Sequence, residues 1–319
     1  MKKLYDLVSC GRTCVDDSFL VPSVTGERGK TPILKSYISG GGQAATCAVV
    51  VAQMGGKSAL VGNLGRDSYG ELIRDELESF GVDTNLVDYP EGYKTPRAVI
   101  LVDQESGERQ IYYEPTDENY SIPLTEEILK NARSVILDPQ IKPEELHQVM
   151  KWCPEDCIVV YDAERPRPSL QEMKSYADFF IASETILDIP VNGKINRWLA
   201  LERLQAEVKG ELIVTFGEHG SVWMQEGSYT LVPAPEVKAV DTTGAGDVYH
   251  AAFAYYQPQI KDIVETMKVA TLCAALSTTY PGTRGNMPFQ EFLEGPSKKF
   301  AKVVTPKILS AEQLKEYVS

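Results

Sequence analysis

The chain has 319 residues, 43% hydrophobic and 24% charged, with 45 acidic against 32 basic side chains and a net charge of −13. That balance lacks the basic face a nucleic-acid surface needs, and no apolar run approaches the length of a membrane span. Six scattered cysteines, with only His147, His219 and His250 beside them, predict thiols of a reducing cytosol and no cysteine-built metal site.

Leu4–Cys10 reads as a first strand; Asp6 breaks the short apolar stretch after two lysines, so it is not a signal peptide. Gly11 closes that strand, and Asp16 follows five residues later with Asp17 beside it, either of which could be a turn residue or a solvated charge. Residues 15–39, and later 93–115, alternate apolar and polar side chains without a helical period. They predict half-exposed antiparallel strands in a small sheet standing off the body as a lid over the active site. Between them, Gly40-Gly41-Gly42-Gln43 opens a helix over Ala44–Met54 whose Ala44, Ala45 and Ala48 allow close packing. The glycines suit either close approach to a ligand or a hinge between lid and body.

Apolar strand patterns then recur at Ser58–Gly62, Ser134–Leu137, Ile158–Asp162, Phe179–Ser183 and Leu212–Phe216. Helical patterns lie between them at Tyr69–Phe80, Pro143–Trp152, Lys194–Lys209 and Val264–Thr278, and a last one at Ala311–Tyr317. This alternation calls for a parallel sheet covered on both faces. With no internal repeat or low-complexity linker, residues 1–319 read as one domain with the lid inserted in two pieces. Cys153-Pro-Glu-Asp-Cys157 has no second cysteine pair and reads as incidental.

The most informative stretch is Asp241-Thr-Thr-Gly-Ala-Gly-Asp247, followed by the helical Val248–Tyr256. A glycine turn opening a helix presents unpaired N–H groups at the positive end of the helix dipole, a place for a polyanion. Asp247 at its mouth could take the proton of an attacking hydroxyl, which describes a phosphotransferase centre. An aspartate capping a helix after a glycine loop would read the same. Tyr280-Pro-Gly-Thr-Arg-Gly285 closes the patterned region as a glycine turn after a helix rich in small residues.

The heptad 241–247 resembles the signature of the ribokinase/PfkB family of ATP-dependent carbohydrate and nucleoside kinases. So does the succession of the glycine motif at 40–43, the Gly-Arg-Asp-Ser-Tyr-Gly of 65–70 and the Gly-Val-Asp of 81–83. The resemblance implies a ribokinase-like three-layer fold, ATP and Mg²⁺ as cofactors, and a homodimer formed through the lid. It implies Asp247 as catalytic base with Gly244, Ala245 and Gly246 as anion hole, and Asp16, Gly41, Gly42, Gln43 and Thr46 at the sugar. Thr46 stands where many relatives carry asparagine. Ser183, Thr215, Gly217, Gly220, Thr243 and Gly282 are implied near the nucleotide, and Asp241 near its phosphates and a K⁺-type monovalent-cation site.

Two segments depart from the family pattern. Glu164 replaces an asparagine in Val160–Arg165, and in Phe180–Leu187 the Asn-x-x-Glu that orders magnesium becomes Ser183 with an offset Glu184. Glu184 reads equally as a metal contact or as a surface carboxylate. The glycine motif, Ser183-Glu184 and the loop at 280–285 look closest to the ketohexokinase and sulfofructose kinase branches, which implies a ketose acceptor. Lys30 would be an anion-binding lysine there, or a solvated lysine at a lid turn. A nucleoside kinase and a non-catalytic sugar- or nucleotide-binding protein of the same fold are the other readings.

Overall fold

The computed structural model describes residues 3–24, 30–105, 109–115, 117, 119–167, 169–190, 193–282, 284–285, 287–294 and 304–318. Glu105-Ser-Gly-Glu108 reads in the sequence as a turn between two strand patterns, and its residues 106–108 lie outside the described residues, as does Ser297-Lys-Lys.

In chain order, β1 (Tyr5–Cys10) is followed by β2 (Cys14–Val21), β3 (Lys35–Gly41), α1 (Gln43–Gln53), β4 (Ser58–Asn63) and α2 (Ser68–Ser79). Next come β5 (Val87–Asp88), β6 (Arg97–Asp103), β7 (Arg109–Tyr113), α3 (Glu126–Lys130), β8 (Ala132–Leu137) and α4 (Pro143–Trp152). The middle of the chain supplies β9 (Ile158–Ala163), α5 (Leu170–Tyr176), β10 (Phe179–Ser183), α6 (Arg197–Glu207) and β11 (Glu211–Thr215). The chain then runs through β12 (Ser221–Gln225), β13 (Ser228–Val232), α7 (Ala245–Ile260) and α8 (Ile263–Ser277). Last are α9 (Phe289–Glu294), β14 (Lys307–Leu309) and α10 (Ala311–Val318).

Ten strands form one sheet in the order β14-β13-β12-β11-β10-β9-β8-β1-β4-β5. From β11 to β5 all neighbours pair in parallel, while β11 to β14 pair antiparallel. Its central strands must be apolar on both sides because helices cover both faces. Leu7 and Val8 of β1 accordingly have no exposed surface and serve opposite clusters. Leu7 belongs to the cluster that includes Ile136, Val160 and residues of α1, α7 and α8. Val8 belongs to the one that includes Val135, Phe180 and residues of α4, α5 and α6. Each such side chain contributes roughly 1.5–3 kcal/mol on burial. This is the parallel sheet covered on both faces that the alternation predicts, in the layered form that the family resemblance implies.

The two inserted pieces form a separate four-stranded sheet, β3-β2-β6-β7. Its strands are not all antiparallel, as the alternation suggested. Each insertion is an antiparallel pair, but β2 and β6 run parallel, with Asp17 beside Val99. They come from different excursions of the chain, so nothing forces them to run in opposite directions. Both faces of this sheet carry exposed apolar side chains, Tyr37, Ile111 and Tyr113 on the side of Asp16 and Ile38 and Tyr112 on the side of Asp17.

Candidate active site

Parallel strands in such a sheet direct their carboxyl ends to a common crevice, and four motifs meet there. Gly244 is the N-cap of α7, in the left-handed region at φ 68°, with Ala245 and Gly246 in the first turn and Asp247 after them. No side chain caps this helix, so Asp247 is not the capping residue and the turn's N–H groups are left for a ligand. The Gly246 carbonyl lies 2.6 Å from His250 Nδ1, while His250 Nε2 lies 3.2 Å from the Ile181 carbonyl and 3.6 Å from Asp162 Oδ1. His250 is buried and thus fixes the first turn of α7 against β10.

Asp247 sits among carboxylates. Burial, then the charges of Asp162, Glu164 and Asp138, push its carboxyl up to about 8, with nearby His250 opposing. Asp162 and Asp138 are themselves raised by burial first. Gln43, at the start of α1, donates to Asp162 Oδ2 at 2.9 Å and to Glu164 Oε2 at 3.3 Å. Asp162 Oδ1 is buried without a hydrogen-bond partner. A base that holds its proton near neutrality can exchange it with an alcohol.

The alternation of β2 separates the two aspartates that sequence could not tell apart. Asp17 is turned to Arg97, whose guanidinium is 2.6 Å away. Asp16 faces Gly41, where a Cβ would come within 2.4 Å of all three carboxylate atoms, so only glycine admits that acid. Gly42, at φ 90°, is pressed on the Arg12 carbonyl and Thr13 Cα in the same way. Thr46 is fully buried, and its hydroxyl accepts from Arg284 Nε at 3.2 Å. Arg284 also donates to the Gly41 carbonyl at 2.6 Å and to Glu76 at 3.2 Å, so it clamps the glycine motif from behind. Lys30 is exposed and bonds to no other described residue.

Ser183 and Thr215 are paired residues at the carboxyl ends of β10 and β11. The tight turn after Thr215 has Gly217 at φ 51° and Gly220 at φ 102°, and a Cβ on Gly220 would strike the Val232 carbonyl at 2.1 Å. Asp241 accepts from Thr243 N and Oγ1 and from Gly282 N, binding the heptad to the 280–285 loop. These hydrogen bonds and Arg109 hold its carboxyl below the usual range, outweighing burial, the largest single influence and an opposing one. Arg109 reaches it from β7 of the small sheet. Glu184 pairs with Arg197 at 3.3 Å. Among the described residues no cluster of three or more histidine, cysteine, aspartate or glutamate side chains is shaped to cage a metal.

The sequence matches the profile of the pfkB family carbohydrate kinases over residues 6–290. The chain belongs to the PfkB family of carbohydrate kinases. It is 32% identical over 283 residues to the deoxyribokinase of Salmonella typhi, spanning 84% of this chain and 91% of that one. It is 28% identical over 258 residues to the ribokinase of Bacillus subtilis, spanning 80% and 86%. Its fold superposes on the Thermotoga maritima ribokinase at TM-score 0.77 and 25% identity, covering 92% and 100% of the two chains. A putative ribokinase from Agrobacterium tumefaciens gives TM-score 0.82 at 24% identity, covering 93% and 98%. The protein is thus a carbohydrate kinase, and no described helix is long and apolar enough to cross a membrane.

Three groups of the candidate site in this PfkB kinase carried no signal in the sequence: His250, Arg109 and Arg284 bind partners far away in the chain. Arg109 links the small sheet to the heptad, so Arg109→Gln is expected to raise the KM for nucleotide or lower kcat by about 10-fold or more. Steady-state kinetics with varied nucleotide check this, and unchanged constants would separate the link from function.

Proposed function

We propose that the protein transfers the γ-phosphate of ATP to a hydroxyl of a small sugar, with Asp247 as general base. The observation that carries this reading is Asp247, a carboxyl raised to about 8 and placed in the first turn of a helix whose N–H groups lack a side-chain cap. Asp16 and the glycine motif hold the acceptor, and Asp247 takes its hydroxyl proton. The Gly244–Gly246 amides hold the transferring phosphate oxygens. Ser183, Thr215, Gly217, Gly220, Thr243 and Gly282 line the nucleotide, and closure of the small sheet keeps water from accepting the phosphate.

Magnesium, when bound, offsets charge on the phosphates. The residues fit a magnesium ion arriving with the nucleotide, which needs only one or two protein carboxylates and keeps its own waters. Asp162, with its unpartnered Oδ1, and Glu164 offer such oxygens beside Asp247. Glu184 would first have to leave Arg197, and a K⁺ ion at Asp241 would compete with the four donors from Thr243, Gly282 and Arg109 already on that carboxylate. Ile38 and Tyr112, exposed on the face of the small sheet that Asp16 does not share, support a homodimer through the lid, and the composition supports a cytoplasmic place.

Ketose is the acceptor class favoured by the sequence motifs, and Fructokinase-2 of Solanum lycopersicum is among the relatives at 27% identity. Aldopentoses are the other class, given the deoxyribokinase and ribokinase relatives. ATP consumption measured across ketoses, aldoses, nucleosides and sulfosugars tests the proposal. Turnover with a sugar alone is the expected result, and a preference for nucleosides or no turnover at all would overturn it.

A further inference from the structure

Beside the acceptor groups lies a cavity of about 450 Å³ whose wall includes Gly11, Arg12 and Thr13. The same segment carries the backbone pressed against Gly42, and Thr13 Oγ1 donates to the Gly41 carbonyl at 3.4 Å, so the cavity adjoins the sugar end of the site. Arg12 and Arg167 both line it, and Lys142 stands in its wall.

Neither guanidinium has a carboxylate within ion-pair distance among the described residues. Arg12 donates to Gln140 Oε1 at 3.2 Å and to the Glu114 carbonyl at 2.7 Å, both neutral acceptors, and lies over the Tyr113 ring. Its Nε is buried without a partner. Arg167 Nε is likewise buried and unpartnered. Two such donors in one wall leave charge-assisted hydrogen bonds unmade, and a guanidinium is shaped to give them to a planar or tetrahedral oxyanion. The acids near them do not fill that role. Asp138 accepts instead from the Arg12 and Gln140 backbone N–H groups, and Glu145 from those of Ile122 and Lys142. Glu144 and Asp117 are exposed at the rim. By contrast, Asp162 and Glu164 bear on Asp247, so an oxyanion is favoured at the far end of the acceptor and repelled at the near end.

We propose that Arg12 and Arg167 form a subsite for an oxyanion, so that the acceptor is a sugar carrying a carboxylate, sulfonate or phosphate at the end remote from the phosphorylated hydroxyl. This rests on the sugar-kinase reading and names its substrate class. Tyr93 and Tyr120, which meet edge to face in the same wall, give the intervening carbons an aromatic surface.

The test compares matched neutral and anionic acceptors, namely pentoses and hexoses against the corresponding aldonates, 2-keto-aldonates, sulfosugars and sugar phosphates. The full-length protein is used as wild type, Arg167→Met and Arg167→Lys. We expect kcat/KM to favour an anionic member in the wild type, and which arm responds identifies the oxyanion. The anionic-to-neutral ratio should fall roughly 30-fold in Arg167→Met and recover partly in Arg167→Lys. A wild type that prefers neutral sugars overturns the subsite while leaving the kinase reading intact, as does an Arg167→Met that lowers both members equally. If no sugar supports ATP consumption, the kinase reading fails, and calorimetric binding of the same compounds without nucleotide decides the subsite. Binding of an anionic member that is lost in Arg167→Met upholds it, and no anionic member binding removes it.

Discussion

Asp247→Asn is expected to lower kcat by about 10³-fold and yet to yield a more stable protein at pH 8. The first effect follows from removing the only group in the first turn of α7 able to take a proton from the acceptor hydroxyl. Nucleotide binding survives, because the turn's amides and the 215–220 turn are untouched. The second effect follows from linkage. Burial and three neighbouring acids raise the Asp247 carboxyl to about 8 in the folded protein, whereas an unfolded aspartate loses its proton near pH 4. Between those values the folded state holds more protons than the unfolded state, so stability declines as pH rises from about 4 to about 8. An amide carries no such penalty, and its gain should reach up to about 5 kcal/mol at pH 8 and vanish near pH 4. Coupled kinetics, nucleotide calorimetry and thermal unfolding at the two pH values check these outcomes. Near-normal turnover in the variant would remove the base assignment. In the wild type, kcat/KM should fall as pH drops below about 8, since the free enzyme must present the ionised base. Asp162→Asn should move that limb to lower pH.

The second large effect is expected at Arg284, which is 5% exposed and buries its charge against Glu76 while donating to two backbone carbonyls and Thr46. Removing one partner of a buried charged network leaves the other uncompensated, at about 3–5 kcal/mol. Arg284→Met should therefore lose stability on that scale, read by denaturant unfolding. Its KM for the sugar should rise as well, because the clamp on Gly41 and Gly42 is gone. Arg284→Lys keeps the charge but not the fork, and should recover only part of the stability. A KM unchanged in a destabilised but folded Arg284→Met would show that the clamp serves folding alone.

What could be read from the sequence, and what could not, divides along contact range. The glycine heptad announced its geometry because a left-handed glycine opening a helix is a local event, and Gly244 adopts that conformation. Strands β8, β9, β10 and β11 were legible from short apolar runs, and β1 from one interrupted at Asp6, since both faces are covered. Asp16 and Asp17 were separable only once β2 existed, because adjacent strand residues face opposite sides. The parallel pairing of β2 with β6 had no signature, as alternation is the same in either direction. Strand β5 has two residues and β14 three, too few to show a period. Arg284 meets Gly41 across 243 positions and Arg109 meets Asp241 across 132, so neither arginine differs locally from a solvated one. Thr46 was placed correctly on its helix, but its hydroxyl serves Arg284, which no spacing indicated.

The turn between β11 and β12 does not stand alone. Tyr317 of α10 donates to the His219 carbonyl at 2.6 Å and packs edge to face on Phe216, while β14 closes the neighbouring sheet margin against β13. During synthesis the acceptor half of the crevice, whose last clamp is Arg284, therefore has its parts before the turn at 217–220 acquires its prop. Competence for nucleotide would then switch on late, when residues 307–318 have left the ribosome and docked.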